Sequence, residues 1–190
     1  MMEIIHNAIQ THRKLLKQFE AEQLDHLVAA ADLLTDCLTH GGCIYLCGNG
    51  GSAADAQHIA GELVGRFLRN RKPLSAVALT TDTSVLTAVA NDFSYDAIFE
   101  RQVQALVRPG DTLWAFSTSG TSENILSAAR LARQQGAKVL AFTGRKDTPL
   151  EKISDVAIVA DAPTSAAAQE IHQLAYHILC DILERRCCPD

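Results

Sequence analysis

The chain of 190 residues has few aromatic side chains: one Trp, three Tyr and six Phe. That is too little for the base-stacking platform of a single-strand nucleic-acid binder. It has no excess of positive charge either, with 17 Lys and Arg against 22 Asp and Glu and a formal net charge of −5. A broad phosphate-backbone footprint is therefore not expected. No apolar run approaches the roughly 18–20 residues that cross a bilayer. Residues 1–17 mix His, Arg, Lys and Glu and show no apolar stretch of the kind a signal peptide needs. Gly (11) and Pro (5) are too scarce for a collagen-like or low-complexity chain. The six cysteines, Cys37, Cys43, Cys47, Cys180, Cys187 and Cys188, form neither CxxC pairs nor a disulfide framework. Reduced thiols in a cytoplasmic protein are expected, with no role assigned to Cys187 and Cys188.

Hydrophobic residues make up 47% and charged residues 21%, enough apolar surface to offset chain entropy and to exclude extensive disorder. The length and the lack of a linker or internal repeat predict one domain over 1–190. Residues 1–40 carry apolar side chains three and four apart, such as Leu24, Leu27, Val28, Ala31, Leu34 and Leu38, which predicts two helices broken near 20–23. Their apolar stripes need a partner, and another subunit is one candidate.

From 41 onward, short continuous apolar runs at 43–47, 76–79, 112–116, 138–142 and 156–159 alternate with helix-period segments. Those segments fall at 53–67, 83–90, 95–107, 122–135, 149–153 and 165–186. Continuous runs suit strands buried on both faces, so the pattern predicts an α/β fold with a doubly wound, five-stranded parallel sheet flanked by helices. In such sheets ligands bind beyond the carboxyl ends of the strands.

Two strand-to-helix loops stand out there. The loop Ser117-Thr118-Ser119-Gly120-Thr121-Ser122 carries five hydroxyls at a helix N-terminus, more than capping requires, and suits a phosphate monoester. It has no Lys and is not a nucleotide P-loop. The loop Cys47-Gly48-Asn49-Gly50-Gly51-Ser52 does not match GxGxxG, and its glycines admit a small ligand close to the backbone. On the helix that follows, His58 and Glu62 share one face; they are either a chance i,i+4 contact or two ligands of a divalent metal. The last helix offers Gln169, His172 and His177, with His172 one turn past Gln169. Arg66, Arg69 and Arg71 read as a solvated helix end, and His6, His12, His26, His40 and His172 carry no assigned role, with His172 coming nearest to a place behind the metal ligands.

The stretches CGNGGSAADAQHIAGEL, TTDTSVLTAVANDF, FSTSGTSENIL and AQEIHQLAYHILCDIL, in that order, resemble the phosphoheptose isomerases, a branch of the sugar isomerase (SIS), flavodoxin-like fold. The resemblance covers nearly the whole chain, including the two leading helices. It implies a divalent metal, usually Zn2+, held by His58, Glu62, Gln169 and His177. It implies interconversion of sedoheptulose 7-phosphate and D-glycero-D-manno-heptose 7-phosphate on the way to the heptose of lipopolysaccharide. It further implies a homotetramer, in which the N-terminal helices find their partner, with no nucleic acid or membrane as partner.

Moving a carbonyl between C1 and C2 through an enediol needs two groups that exchange protons. On this resemblance Glu62 is the base and His177 its acid/base partner. Ser117, Thr118, Ser119 and Ser122 would hold the phosphate, and Gln169 would also face substrate. Asn49, Gly50, Gly51, Ser52, Asn91 and Asp92 would meet sugar hydroxyls. The sequence departs from the family at Ala166-Ala167-Ala168, where an Arg is common, which touches substrate charge recognition or helix docking. Other readings are a related adaptor that binds the replication initiator and lacks the catalytic Glu and final His, a sugar-phosphate-sensing regulatory module, and an isomerase of another sugar phosphate.

Overall fold

Parallel pairing organises all five apolar runs. In the computed structural model, which describes residues 1–189, they become β1 (Ile44–Cys47), β2 (Ala76–Ala78), β3 (Thr112–Ser117), β4 (Lys138–Thr143) and β5 (Val156–Val159), in the order β2-β1-β3-β4-β5. Two helices, α1 (Met2–Glu22) and α2 (Leu24–Thr39), precede the sheet. The helices between strands are α3 (Gly51–Val64), α4 (Thr83–Asp92), α5 (Glu100–Leu106), α6 (Glu123–Gln134) and α7 (Pro149–Ile153). The last helix is α8 (Ser165–Cys187). The segment expected as one helix over 95–107 divides into a 3-10 turn at Tyr95–Ala97 and α5.

The strand order puts a topological switch between β1 and β3. Right-handed crossovers send the helix after β1 to one face and those after β2, β3 and β4 to the other. Side chains alternate along the strands accordingly. Trp114, Phe116 and Phe142 point to the face covered by α2, α3 and α8, where the three rings lie 4.9–5.6 Å apart. Ala115 and Ala141 point to the other face, where they meet Ala128, Ala129 and Ala132 of α6. Bulk on one face and alanine on the other set how closely each helix layer can approach.

The N-terminal helices are less dependent on another subunit than their stripes suggested. Leu27, Ala30, Ala31 and Leu34 of α2 are buried in this chain's own core, because α2 lies against α8 and β5. Gln23, at the break between α1 and α2, is buried, and its Oε1 accepts from the Val159 N–H at 3.0 Å. The start of α1 leaves large apolar groups open, with Ile4, Ile5 and Ile9 exposed by 74%, 45% and 46%, and Leu24 and Val28 of α2 are exposed as well.

Candidate active site between α3 and α8

Helices α3 and α8 pack side by side on the same sheet face. His58 and Glu62 stand one turn apart on α3, with His58 Nε2 3.1 Å from Glu62 Oε1. His177 of α8 brings its own Nε2 to 3.5 Å from His58 Nε2. One donor atom from each of the three residues falls within 4.8 Å of the others. Phe67 stacks on His177 with ring centroids 5.3 Å apart and an interplanar angle of 21°. Burial, reinforced by the neighbouring His58, holds the His177 imidazole below its ordinary range, so it is neutral and its lone pair is available at pH 7. Two imidazole nitrogens and a carboxylate are donors that zinc accepts, and their convergence fits a divalent cation.

The hydroxyl loop follows β3, at the carboxyl end of the sheet. Ser122 stands at the N-cap of α6 without capping it. Instead its Oγ accepts from Ser117 Oγ at 3.2 Å, while Ser119 Oγ lies 3.4 Å from Ser117 Oγ. The hydroxyls therefore face one another. Gly120, at φ +67°, brings its backbone against the Thr148 side chain where no Cβ would fit. Thr118 Oγ1 meets Ser165 Oγ at 3.0 Å. Glu123, the first residue of α6, is drawn along the helix by Arg130 at 2.6 Å.

The loop after β1 is tied to α6 by a reciprocal amide pair. Asn49 Nδ2 donates to Asn124 Oδ1 at 2.9 Å, and Asn124 Nδ2 returns a bond to Asn49 Oδ1 at 2.8 Å. Tyr95 also donates to Asn49 Oδ1, at 2.9 Å. A cavity of about 250 Å³ beside this lock is lined by Gly48, Asn49, Gly50, Thr80, Thr87 and Tyr95, among others. Gln169 lies against the backbone of Gly51, leaving no room for a side chain there, and donates to Ser52 Oγ at 3.5 Å. Asn91 donates to Asp92 at 2.8 Å on the exposed end of α4. Among the described residues no hydrogen bond joins either of them to the loops.

The SIS domain family matches residues 9–144. The phosphoheptose isomerase of Geotalea daltonii is 44% identical over 186 residues, covering 98% of this chain and 97% of that one. The chain belongs to the phosphoheptose isomerase family. Solved structures of its members superpose closely. The enzyme from Neisseria gonorrhoeae does so with a TM-score of 0.91 at 40% identity, covering 96% of this chain and 98% of its own. The one from Francisella tularensis gives 0.93 at 35%, covering 97% and 98%.

Within this family fold, sequence reasoning missed several groups around the site. Tyr176 of α8 is buried and puts its hydroxyl 3.0 Å from His58 Nδ1. Asp55, one turn before His58, accepts from the same hydroxyl at 3.5 Å. Burial pushes the Asp55 carboxyl up to about 6, against the pull of Tyr176 and His58. The i,i+3 spacing of Asp55 and His58 was visible as a signal; the partner from α8 was not.

Two readings need correction. Arg71 is no solvated helix end. Its Nε pairs with the fully buried Glu184 at 3.0 Å, while its two Nη groups donate to the carbonyls of Leu63 and Glu62 at 2.8 Å. Glu184 also accepts from the backbone N–H groups of Phe67, Leu68 and Arg69 at 2.8–3.0 Å. This clamp closes the end of α3 and sets Phe67 over His177. His172 lies inside the core instead of beside the cluster, packed against Phe116 and Phe142 and donating through Nε2 to the Thr143 carbonyl at 3.0 Å.

The alanines at 166–168 do not weaken helix docking. Thr164 caps α8 through the Ala167 N–H at 3.2 Å, and Ala168 is buried against Gly144.

Proposed function

We propose that the protein is a ketose–aldose isomerase that interconverts sedoheptulose 7-phosphate and D-glycero-D-manno-heptose 7-phosphate through an enediol. The observation that carries this reading is the convergence of Glu62 and His177 on His58, in a chain whose loop after β3 gathers hydroxyls around Ser117. An adaptor of the same fold has no need of that arrangement.

Each part of the site has a task in the reaction. The carboxylate of Glu62 removes the proton from one of the two carbons, and the neutral imidazole of His177 takes up a proton from a sugar hydroxyl and returns it as the enediol collapses. Ser117, Thr118, Ser119 and Ser122 hold the terminal phosphate at the start of α6, where unpaired backbone N–H groups favour an anion. Arg145 lines a small cavity of about 60 Å³ with Thr118, Ser119 and Ser165, and so brings the positive charge that the loop itself lacks. Asn49, Gly50, Gly51, Ser52, Asn91 and Asp92 meet sugar hydroxyls. His58, Glu62, Gln169 and His177 hold a divalent cation, zinc by their donor types. A cation bound there would supply Lewis-acid polarisation of a substrate oxygen.

The chain works as one SIS domain over 1–190, in the cytoplasm, without nucleic-acid or membrane partners. Its assembly is a homotetramer, for which exposed Ile4, Ile5 and Ile9 offer an apolar surface. The test is conversion of sedoheptulose 7-phosphate by the purified protein with and without zinc, compared with five- and six-carbon ketose phosphates. Turnover of the seven-carbon substrate that needs Glu62 supports the proposal. Turnover of shorter ketose phosphates alone moves the substrate, and inactivity of the folded, zinc-loaded protein overturns the enzyme reading.

A further inference from the structure

We infer that Tyr176 is a positioning residue that sets which nitrogen of His58 is free to bind the cation, and that it does so by relaying a hydrogen bond from His58 Nδ1 to Asp55. The inference rests on the metal site proposed above.

The two ring nitrogens of His58 have different neighbours. Nε2 faces Glu62 at 3.1 Å and His177 at 3.5 Å, while Nδ1 faces the Tyr176 hydroxyl at 3.0 Å. A neutral imidazole carries one proton. For Nε2 to give its lone pair to a cation, that proton must be on Nδ1, and Nδ1 then needs an acceptor.

A phenol can fill that place because its oxygen accepts while its O–H donates. Asp55 Oδ1, 3.5 Å away, is the group that takes the O–H, and Asp55 Oδ2 is buried without a hydrogen-bond partner. The order is thus His58 Nδ1–H to Tyr176 oxygen, and Tyr176 O–H to the Asp55 carboxylate. The same hydroxyl can turn and donate to Nδ1 when Nε2 carries the proton and donates to Glu62. The present distances, shorter to Nδ1 than to Asp55, suit that second arrangement. A ligating histidine commonly hands its other N–H to a carboxylate or carbonyl, and losing that partner weakens metal binding by about 10- to 100-fold. Here a tyrosine stands between the two.

Burial also fixes the hydroxyl in place. Tyr176 is only 1% exposed, and its ring meets His58 and His177 edge-on at 5.5 and 4.8 Å. Those ring contacts survive replacement by Phe, so Tyr176→Phe removes the relay and leaves the packing.

The test measures Zn2+ affinity by competition with a chromogenic chelator in the wild type, Tyr176→Phe, Asp55→Asn and the double variant, with thermal melting as a check on folding. Zinc binding about 10- to 100-fold weaker in Tyr176→Phe is expected. Asp55→Asn should weaken binding when introduced alone and have no further effect when added to Tyr176→Phe. Unchanged affinity in Tyr176→Phe, or fully additive effects of the two substitutions, overturns the inference while leaving the metal site standing. A wild type that takes up no zinc overturns both. Nitrogen-15 spectra of the histidines give a reading independent of any variant. In the zinc-loaded wild type His58 should carry its proton on Nδ1, and a proton on Nε2 overturns the relay.

Discussion

Five residues apart along α8, His172 and His177 come from the same helix and meet opposite surroundings. His172 is wholly buried between Phe116 and Phe142, with its Nε2–H on the Thr143 carbonyl. Burial pushes its imidazole down to about 4. His177 is half-buried against His58 and Phe67, facing other ionisable groups across the crevice. One histidine is a neutral donor that fastens α8 to the end of β4, and the other turns its ring nitrogen toward His58. The residue type is the same, and the rotation of about 140° between positions five apart on a helix separates the roles. The contrast separates an inward side of α8 that carries the fold from an outward side that carries the proposed chemistry, and each half of that statement can be broken.

The largest expected effect lies on the outward side. Glu62→Gln should lower turnover of sedoheptulose 7-phosphate by roughly 100- to 10,000-fold while leaving the melting temperature near that of the wild type. A large loss of stability would mean that the crevice also holds the fold together.

The reverse pattern is expected where α8 is sealed. Arg71→Met leaves the Glu184 carboxylate buried with one partner fewer, and removing one member of such a pair costs about 3–5 kcal/mol. Urea denaturation measures this cost. The turnover of the protein that stays folded should then fall through the displaced Phe67, and a variant as stable as the wild type would remove the clamp from the account.

His172 predicts a pH dependence. The folded protein keeps it neutral down to about 4, while the unfolded chain protonates it near 6.5. Between these values the unfolded state binds more protons, so stability falls as the pH drops, by about 3 kcal/mol at the acid end. Asp55 acts in the opposite sense. Its folded carboxyl protonates near 6 and its unfolded one near 3.8, so it gains stability over part of the same range. Comparing wild type with His172→Gln isolates the histidine, since Gln keeps a donor for Thr143 and does not titrate. Equal acid slopes in the two proteins would show that His172 is less sealed than its contacts indicate.

The smallest effect is at the hydroxyl loop. Ser122→Ala removes one hydrogen bond to a charged group, worth about 1.5 kcal/mol. A rise of roughly tenfold in KM with kcat little changed is expected from steady-state kinetics. No change in KM would place the phosphate away from this hydroxyl.

Much of this was legible before folding. The five strands were readable because a parallel sheet buried on both faces demands continuous apolar runs, and Leu113–Phe116 and Val139–Phe142 are such runs. His58 and Glu62 were readable as a pair because helical spacing places them one turn apart. Arg71 was misread because a charged residue past a helix end is ordinarily solvated, and its buried partner Glu184 lies 113 positions away. Tyr176 was overlooked because a tyrosine on an apolar helix face looks like core, and its hydroxyl acquires meaning only beside His58, 118 positions earlier.

The division follows the range of the forces involved. Strand and helix identities, the two small-residue loops after β1 and β3 and the family kinship were set by local patterns, since backbone hydrogen bonding and apolar periodicity act over a few residues. Which histidine is buried and which faces His58, where an arginine is hidden and what stands behind His58 were decided by the packing of α3 against α8. Contacts between helices far apart in the chain leave no period in the sequence, and burial, which alters charge and proton affinity, exists only once those helices have met.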